Sequence, residues 1–79
     1  MRLDKYLKVS RLIKRRTVAN EACDSGRVMI NDKPAKASAN VKVGDVINIK
    51  FGNKEVNAQV LSIAETVRKE EAENMYKLL

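Results

Sequence analysis

"SRLIKRRTVANEACDSGRVMIND", residues 10–32, decides how this chain folds. Its left half crowds Arg11, Lys14, Arg15 and Arg16 ahead of a stretch with helical periodicity. There Val18, Ala19, Ala22 and Cys23 form one narrow apolar stripe, which predicts a helix over about residues 15–25. Asn20, Glu21 and Asp24 fall on the water-facing side. Gly26 stands where a left-handed C-terminal cap ends such a helix. Beyond it the period drops to two: Val28 and Ile30 share a strand face, and Asn31-Asp32 reads as a tight turn tolerant of positive φ. With Val18 placed in the packing stripe, an acid at that position is expected to unfold the domain.

Working outward, Leu3, Tyr6 and Leu7 stand at i, i+3 and i+4, the mark of a short helix over about residues 3–10. Arg2, Lys5 and Lys8 fall on its other side, and a turn is expected near residues 12–14. The small residues on the second stripe imply that the two helices pack closely. Toward the C-terminus, Ile47, Ile49 and Phe51 alternate, Gly52-Asn53 offers a two-residue hairpin loop, and Val56, Ala58 and Val60 continue the return strand. Gly44-Asp45 is a further turn signal. Pro34 cannot donate to a sheet ladder, so its segment belongs at an edge or in a loop. In the tail, Ala72, Met75, Tyr76 and Leu79 return to helical spacing, with Glu70 and Glu71 in the first turn, where carboxylates suit the helix dipole. The order predicts an α+β fold, two N-terminal helices on a small antiparallel sheet plus a C-terminal helix, in one domain over residues 1–79.

A chain of 79 residues has room for one small core. No apolar run reaches the length of a signal-peptide core or a membrane span, so a cytoplasmic location without a membrane partner is expected. A lone Cys23 leaves no internal disulfide and no metal-ligand cluster, and histidine is absent. The usual resources of general-base, nucleophilic and metal catalysis are therefore thin, and the expectation is a binding protein with no catalytic residues, metal or cofactor. The net charge of +6 is segregated. Residues 1–36 carry ten Lys/Arg against four Asp/Glu, whereas residues 37–79 carry six of each. Basic charge gathered in one half is the electrostatic footprint of a polyanion partner.

Four cations within six residues, Arg11 to Arg16, repel one another and persist most readily when an anion neutralises them. They sit at the entrance to the second helix, whose free N–H groups favour phosphate, and arginine adds bidentate geometry. Arg2 and Lys5 extend the same patch if the helices pack as a hairpin. Asp4 has two readings: it orients Arg2 or an arginine of the second helix, or it is an ordinary first-turn acid. Cys23 reads as a small buried hydrophobe, and Met75 and Tyr76 as packing residues. Lys33 and Lys36 flank the first hairpin, within reach of a bound RNA. Tyr6, Phe51 and Tyr76 are the whole aromatic supply and all lie in apolar patterns, so phosphate and shape recognition of structured RNA is favoured over base stacking.

The segments "RLDKYL", Arg11, Lys14, Arg16, "GRVMIND", Ser38, Val41 and "GDVI", spanning roughly residues 2–50, resemble the αL RNA-binding domain named for ribosomal small-subunit protein four. Asp32 departs from that pattern, where glycine is usual, yet Asp tolerates the turn. Within the superfamily, "RLIKRRT" and the tail "KEEAENMY" are similar to the RqcP family of bacterial ribosome-associated quality-control factors, with the heat-shock protein fifteen type as a related branch. The resemblance implies a ribosome-associated protein that binds a large subunit blocked by peptidyl-tRNA; a monomer is expected. Its implied partners are large-subunit ribosomal RNA, the peptidyl-site tRNA and an RqcH-type tailing factor that adds alanine to the stalled chain. By motif position, Arg2, Arg11, Lys14 and Arg16 carry over as RNA contacts. Lys5 and Arg15 rest on proximity and charge.

Three alternatives stand beside that reading. A heat-shock protein fifteen-like factor would rescue the peptidyl-tRNA without tailing. A helix-turn-helix-like DNA binder would read bases from the second helix, where Asn20 could recognise adenine. An interaction module would dock a protein on the amphipathic tail.

Overall fold

The computed structural model describes residues 1–79. Along the chain come α1 (Leu3–Val9), α2 (Arg16–Asp24), β1 (Val28–Ile30), β2 (Lys33–Pro34), β3 (Val46–Phe51), β4 (Lys54–Val60), α3 (Lys69–Ala72), a 3₁₀ turn (Glu73–Met75) and β5 (Tyr76–Leu78). The five strands form one antiparallel sheet in the order β2-β1-β3-β4-β5. This is an α+β fold with the two leading helices against the sheet.

The punctuation is local chemistry. At the end of α2, Gly26 takes φ +84°. Its N–H bonds the Cys23 carbonyl at 3.1 Å while the Arg27 N–H reaches Ala22 at 3.0 Å. That bond pair is a Schellman cap, and it aims the chain directly into β1. Asn31 and Asp32 both adopt positive φ, +51° and +67°, as a two-residue hairpin between β1 and β2 requires. Pro34 lies on the edge strand β2, where its missing donor costs nothing. Leu3, Tyr6 and Leu7 of α1, Ala19, Ala22 and Cys23 of α2, and Val28, Ile47, Ile49 and Val60 of the sheet form the buried core, joined by Val41 and Met75. The Tyr6 hydroxyl donates to the Met75 carbonyl at 2.7 Å, tying α1 to the tail. Burial, reinforced by Tyr76, pushes the Tyr6 phenol up to about 12, so it stays a neutral donor.

Two expectations need correction. The C-terminal helix is present but lasts four residues, and Tyr76–Leu78 form a strand instead of continuing it. Val60, Gln59 and Ala58 pair there with Tyr76, Lys77 and Leu78. An unpaired β4 edge offers ladder bonds, whereas a short terminal helix is marginal alone. Ala72 and Met75 are buried as expected, while Leu79 is exposed. Val18 also departs from its assigned place: it is 46% exposed, and only Ala19, Ala22 and Cys23 face α1 and the sheet. Small side chains alone, Ala19, Ala22 and Cys23, make up the buried face of α2, so the stripe is narrower than the hydropathy pattern. Ala19→Asp is accordingly expected to abolish cooperative thermal unfolding, because an unpaired charge enters the core. Val18→Asp should melt within about 0.5 kcal/mol of the parent.

Candidate nucleic-acid interface

Asp4 in the first turn of α1 organises the basic surface. Its side chain is only 3% exposed. Arg2 approaches with Nε 3.2 Å from Oδ1 and Nη2 3.4 Å from Oδ2. From α2, Arg16 Nη2 stands 3.5 Å from Oδ1 and Asn20 Nδ2 donates to Oδ2 at 3.2 Å. The Lys5 backbone N–H completes the set at 2.8 Å, so the carboxylate also satisfies a first-turn donor of its own helix. Burial by itself would raise the Asp4 carboxyl; hydrogen bonds from Asn20 and Arg16, the Arg16 charge and the Arg2 bond outweigh it and hold the group below the usual range.

One carboxylate thus orients two guanidinium groups and neutralises only one of them. The side chains of Arg2 and Arg16 remain 51% and 47% exposed, leaving donors free toward solvent. Beside them opens a depression of about 400 Å³ lined by Asp4, Arg16, Thr17, Asn20 and Glu21. Lys14 and Arg15 are exposed and make no ion pair. Arg15 is the N-cap of α2, supplies no side-chain acceptor, and is followed by no acid in the first turn. Cations there oppose the helix dipole at about 0.3–1 kcal/mol each, so local helix stability did not select them.

Arg11 is exposed and holds φ +64°, the left-handed position just past α1 where glycine is favoured. With Lys8 it lines a separate groove against Glu65, Thr66 and Val67. Lys5 is the residue the structure draws away: its ammonium pairs with Glu65, whose carboxyl that hydrogen bond and charge hold down. The six cations therefore divide. Arg2 and Arg16 converge on Asp4, Lys14 and Arg15 flank the start of α2, Arg11 lines the groove with residues 65–67, and Lys5 is paired with Glu65. Asn20, expected to face water, is half-buried and bonded to Asp4. Its spacing of four from Arg16 on one helix face was the signal that could have found it. Glu65 lies in an irregular segment and had none. Cys23 is 2% exposed, and burial, then Asp4 and Asp24, push its thiol up to about 11, which makes it a packing residue rather than a nucleophile.

A short helix pair against a small antiparallel sheet is the αL RNA-binding fold, and here Arg2 at the N-cap of α1 and Arg16 of α2 are held on one buried acid. The S4 domain matches residues 1–47. The RQC P-site tRNA stabilizing factor of Bacillus subtilis is 58% identical over 79 residues, covering 100% of this chain and 92% of that protein. A Heat shock protein 15 homolog of Haemophilus influenzae is 34% identical over 68 residues, covering 86% of this chain and 52% of that one. The trimeric structure of Vibrio cholerae Heat Shock Protein 15 superposes with a TM-score of 0.92 at 31% identity, covering 100% of this chain and 81% of its own. The chain belongs to the S4 domain family, in the branch of the RQC P-site tRNA stabilizing factors.

Two outcomes test this geometry. Because the folded Asp4 carboxyl lies below its unfolded value near 3.8, its contribution is complete above that value and is lost as pH falls through the folded one. Asp4→Asn should melt lower at neutral pH, by about 1–3 kcal/mol, and lose less stability than the parent between neutral and strongly acidic pH. At the left-handed position, Arg11→Gly should match or exceed the parent melting temperature, whereas Arg11→Val should fall by about 1–2 kcal/mol.

Proposed function

We propose that this chain is a non-catalytic RNA-binding factor of ribosome-associated quality control. It binds the tRNA-obstructed large ribosomal subunit through ribosomal RNA and the peptidyl-site tRNA. Arg2, Arg11, Lys14 and Arg16 contact RNA, with Lys5 and Arg15 adding charge. By lending binding free energy to one tRNA position, the factor shifts the population toward it and supports C-terminal alanine tailing by an RqcH-type partner. It works in the cytoplasm, on ribosomes, as a monomer.

The observation that carries this reading is the Arg2–Asp4–Arg16 constellation: two guanidinium groups pre-oriented by one buried carboxylate, with their outer donors exposed. Holding them in place lowers the side-chain entropy cost of gripping phosphate oxygens. Arginine at the left-handed position 11 points the same way, since backbone geometry alone favours glycine there. The name of the Bacillus subtilis relative supports the tRNA assignment. Higher identity to the RQC branch favours tailing over heat-shock protein fifteen-like rescue. A base-reading DNA binder is disfavoured because the Asn20 amide donates to Asp4.

Arg16→Ala is expected to weaken association with tRNA-blocked large subunits by about 1–2 kcal/mol while the protein remains folded. Sedimentation of factor with subunits measures it, and unchanged co-sedimentation removes Arg16 from the interface. If about five phosphates are neutralised, log K should fall with log salt at a slope of roughly −4 to −4.5 on the duplex scale.

A further inference from the structure

Two apolar side chains that periodicity would bury are left open across one cleft. Val18 on α2 is 46% exposed, and Phe51 at the end of β3 is 41% exposed, although it shares a strand face with the fully buried Ile47 and Ile49. The sheet runs on past the cover of α2, so Phe51 carries the inner face into solvent. Together with Ile13 these residues line a cleft of about 250 Å³ whose rim includes Arg27, Lys50 and Glu21. Arg27 and Lys50 are backbone neighbours, the Lys50 N–H donating to the Arg27 carbonyl at 2.9 Å. Neither cation has a carboxylate partner. Glu21 also lines the depression beside Asp4 and Arg16, so the two concavities adjoin at that residue of α2.

We infer that this cleft receives one unpaired nucleotide of the bound RNA, with its base against Phe51 and Val18 and its phosphate on the Arg27 and Lys50 side. An exposed aromatic ring beside free cations suits a base and its backbone together, because every base has a π-face and every nucleotide an anion. Glu21 sets the direction: its carboxylate repels phosphate and accepts hydrogen bonds from exocyclic amines or the 2′-hydroxyl. The other large exposed apolar residues, Val43, Leu61, Ile63, Leu78 and Leu79, do not line this cleft. The inference rests on the RNA-binding reading and deepens it: duplex backbone is gripped at Arg2 and Arg16, and a flipped-out base is held one helical turn away.

Binding of the intact chain to an RNA hairpin carrying a single bulged 2-aminopurine, compared with the same hairpin lacking the bulge, tests it. The parent protein should prefer the bulged hairpin by about fivefold or more and quench its fluorescence by stacking. Phe51→Leu, which keeps the apolar contact and removes the ring, should lose both preference and quench, bind the bulge-free hairpin as before, and melt normally. Arg27→Gln should reduce the preference without abolishing the quench. A parent protein that does not discriminate, or a Phe51→Leu variant that keeps the preference, overturns the cleft assignment. So does a change in self-association by Phe51→Leu with RNA preference intact, which would assign the surface to a second copy. Arg16→Ala should weaken binding of both hairpins; if it weakens neither while the bulge preference persists, the backbone interface fails and the cleft stands.

Discussion

The structure depends on how one buried carboxylate is kept charged. An unpaired ion taken out of water costs several kcal/mol, so Asp4 is tolerable only because Arg2, Arg16, Asn20 and the Lys5 N–H surround it. Those same partners cross from α1 to α2. The ion network therefore helps fix the helix crossing and at once positions the two arginines offered to RNA. Fold and interface share a device here, and the requirement explains why Asp4 is not merely a helix-dipole acid.

Elsewhere the basic half works against its own local structure. Arg15 and Arg16 open α2 where the dipole favours acids, and Arg11 occupies backbone space that glycine fills most easily. Each costs on the order of 1 kcal/mol or less at the dipole and about 1–2 kcal/mol at the left-handed position. The compensation is tertiary. Leu3, Tyr6 and Leu7 are fully buried against the sheet and the tail, and the Tyr6 hydroxyl closes onto the Met75 carbonyl. A bound phosphate backbone would relieve the remaining repulsion, which gives binding its electrostatic driving force.

The electrically neutral second half is not passive. Glu65 reaches back to Lys5 from the irregular segment between β4 and α3, and so subtracts one cation from the surface. Both partners are solvent-accessible, which makes this pair weak and open to competition from a polyanion. Asn20 is committed more firmly, since its amide sits on the buried carboxylate. The exposed rim of α2 is thereby left to Arg16, Thr17 and Glu21, a set better suited to backbone and shape than to base-pair edges.

The amino-acid sequence by itself determined the elements whose causes are local. Both leading helices came out within a residue of their predicted bounds, because capping and periodicity act over a few residues. Gly26, Asn31-Asp32 and Pro34 played their expected parts for the same reason: backbone conformation is written into those side chains. The charge asymmetry was equally plain. Only tertiary structure decided that Val18 and Phe51 would lie open, since periodicity names a face but not where its covering neighbour ends. It also turned Tyr76–Leu78 from the end of a helix into a strand, because the β4 edge that competes for those backbone bonds lies sixteen residues or more away in sequence. The convergence of Arg2, Arg16 and Asn20 on Asp4 belongs with these, for the angle at which two helices cross is set by packing and not by either helix alone.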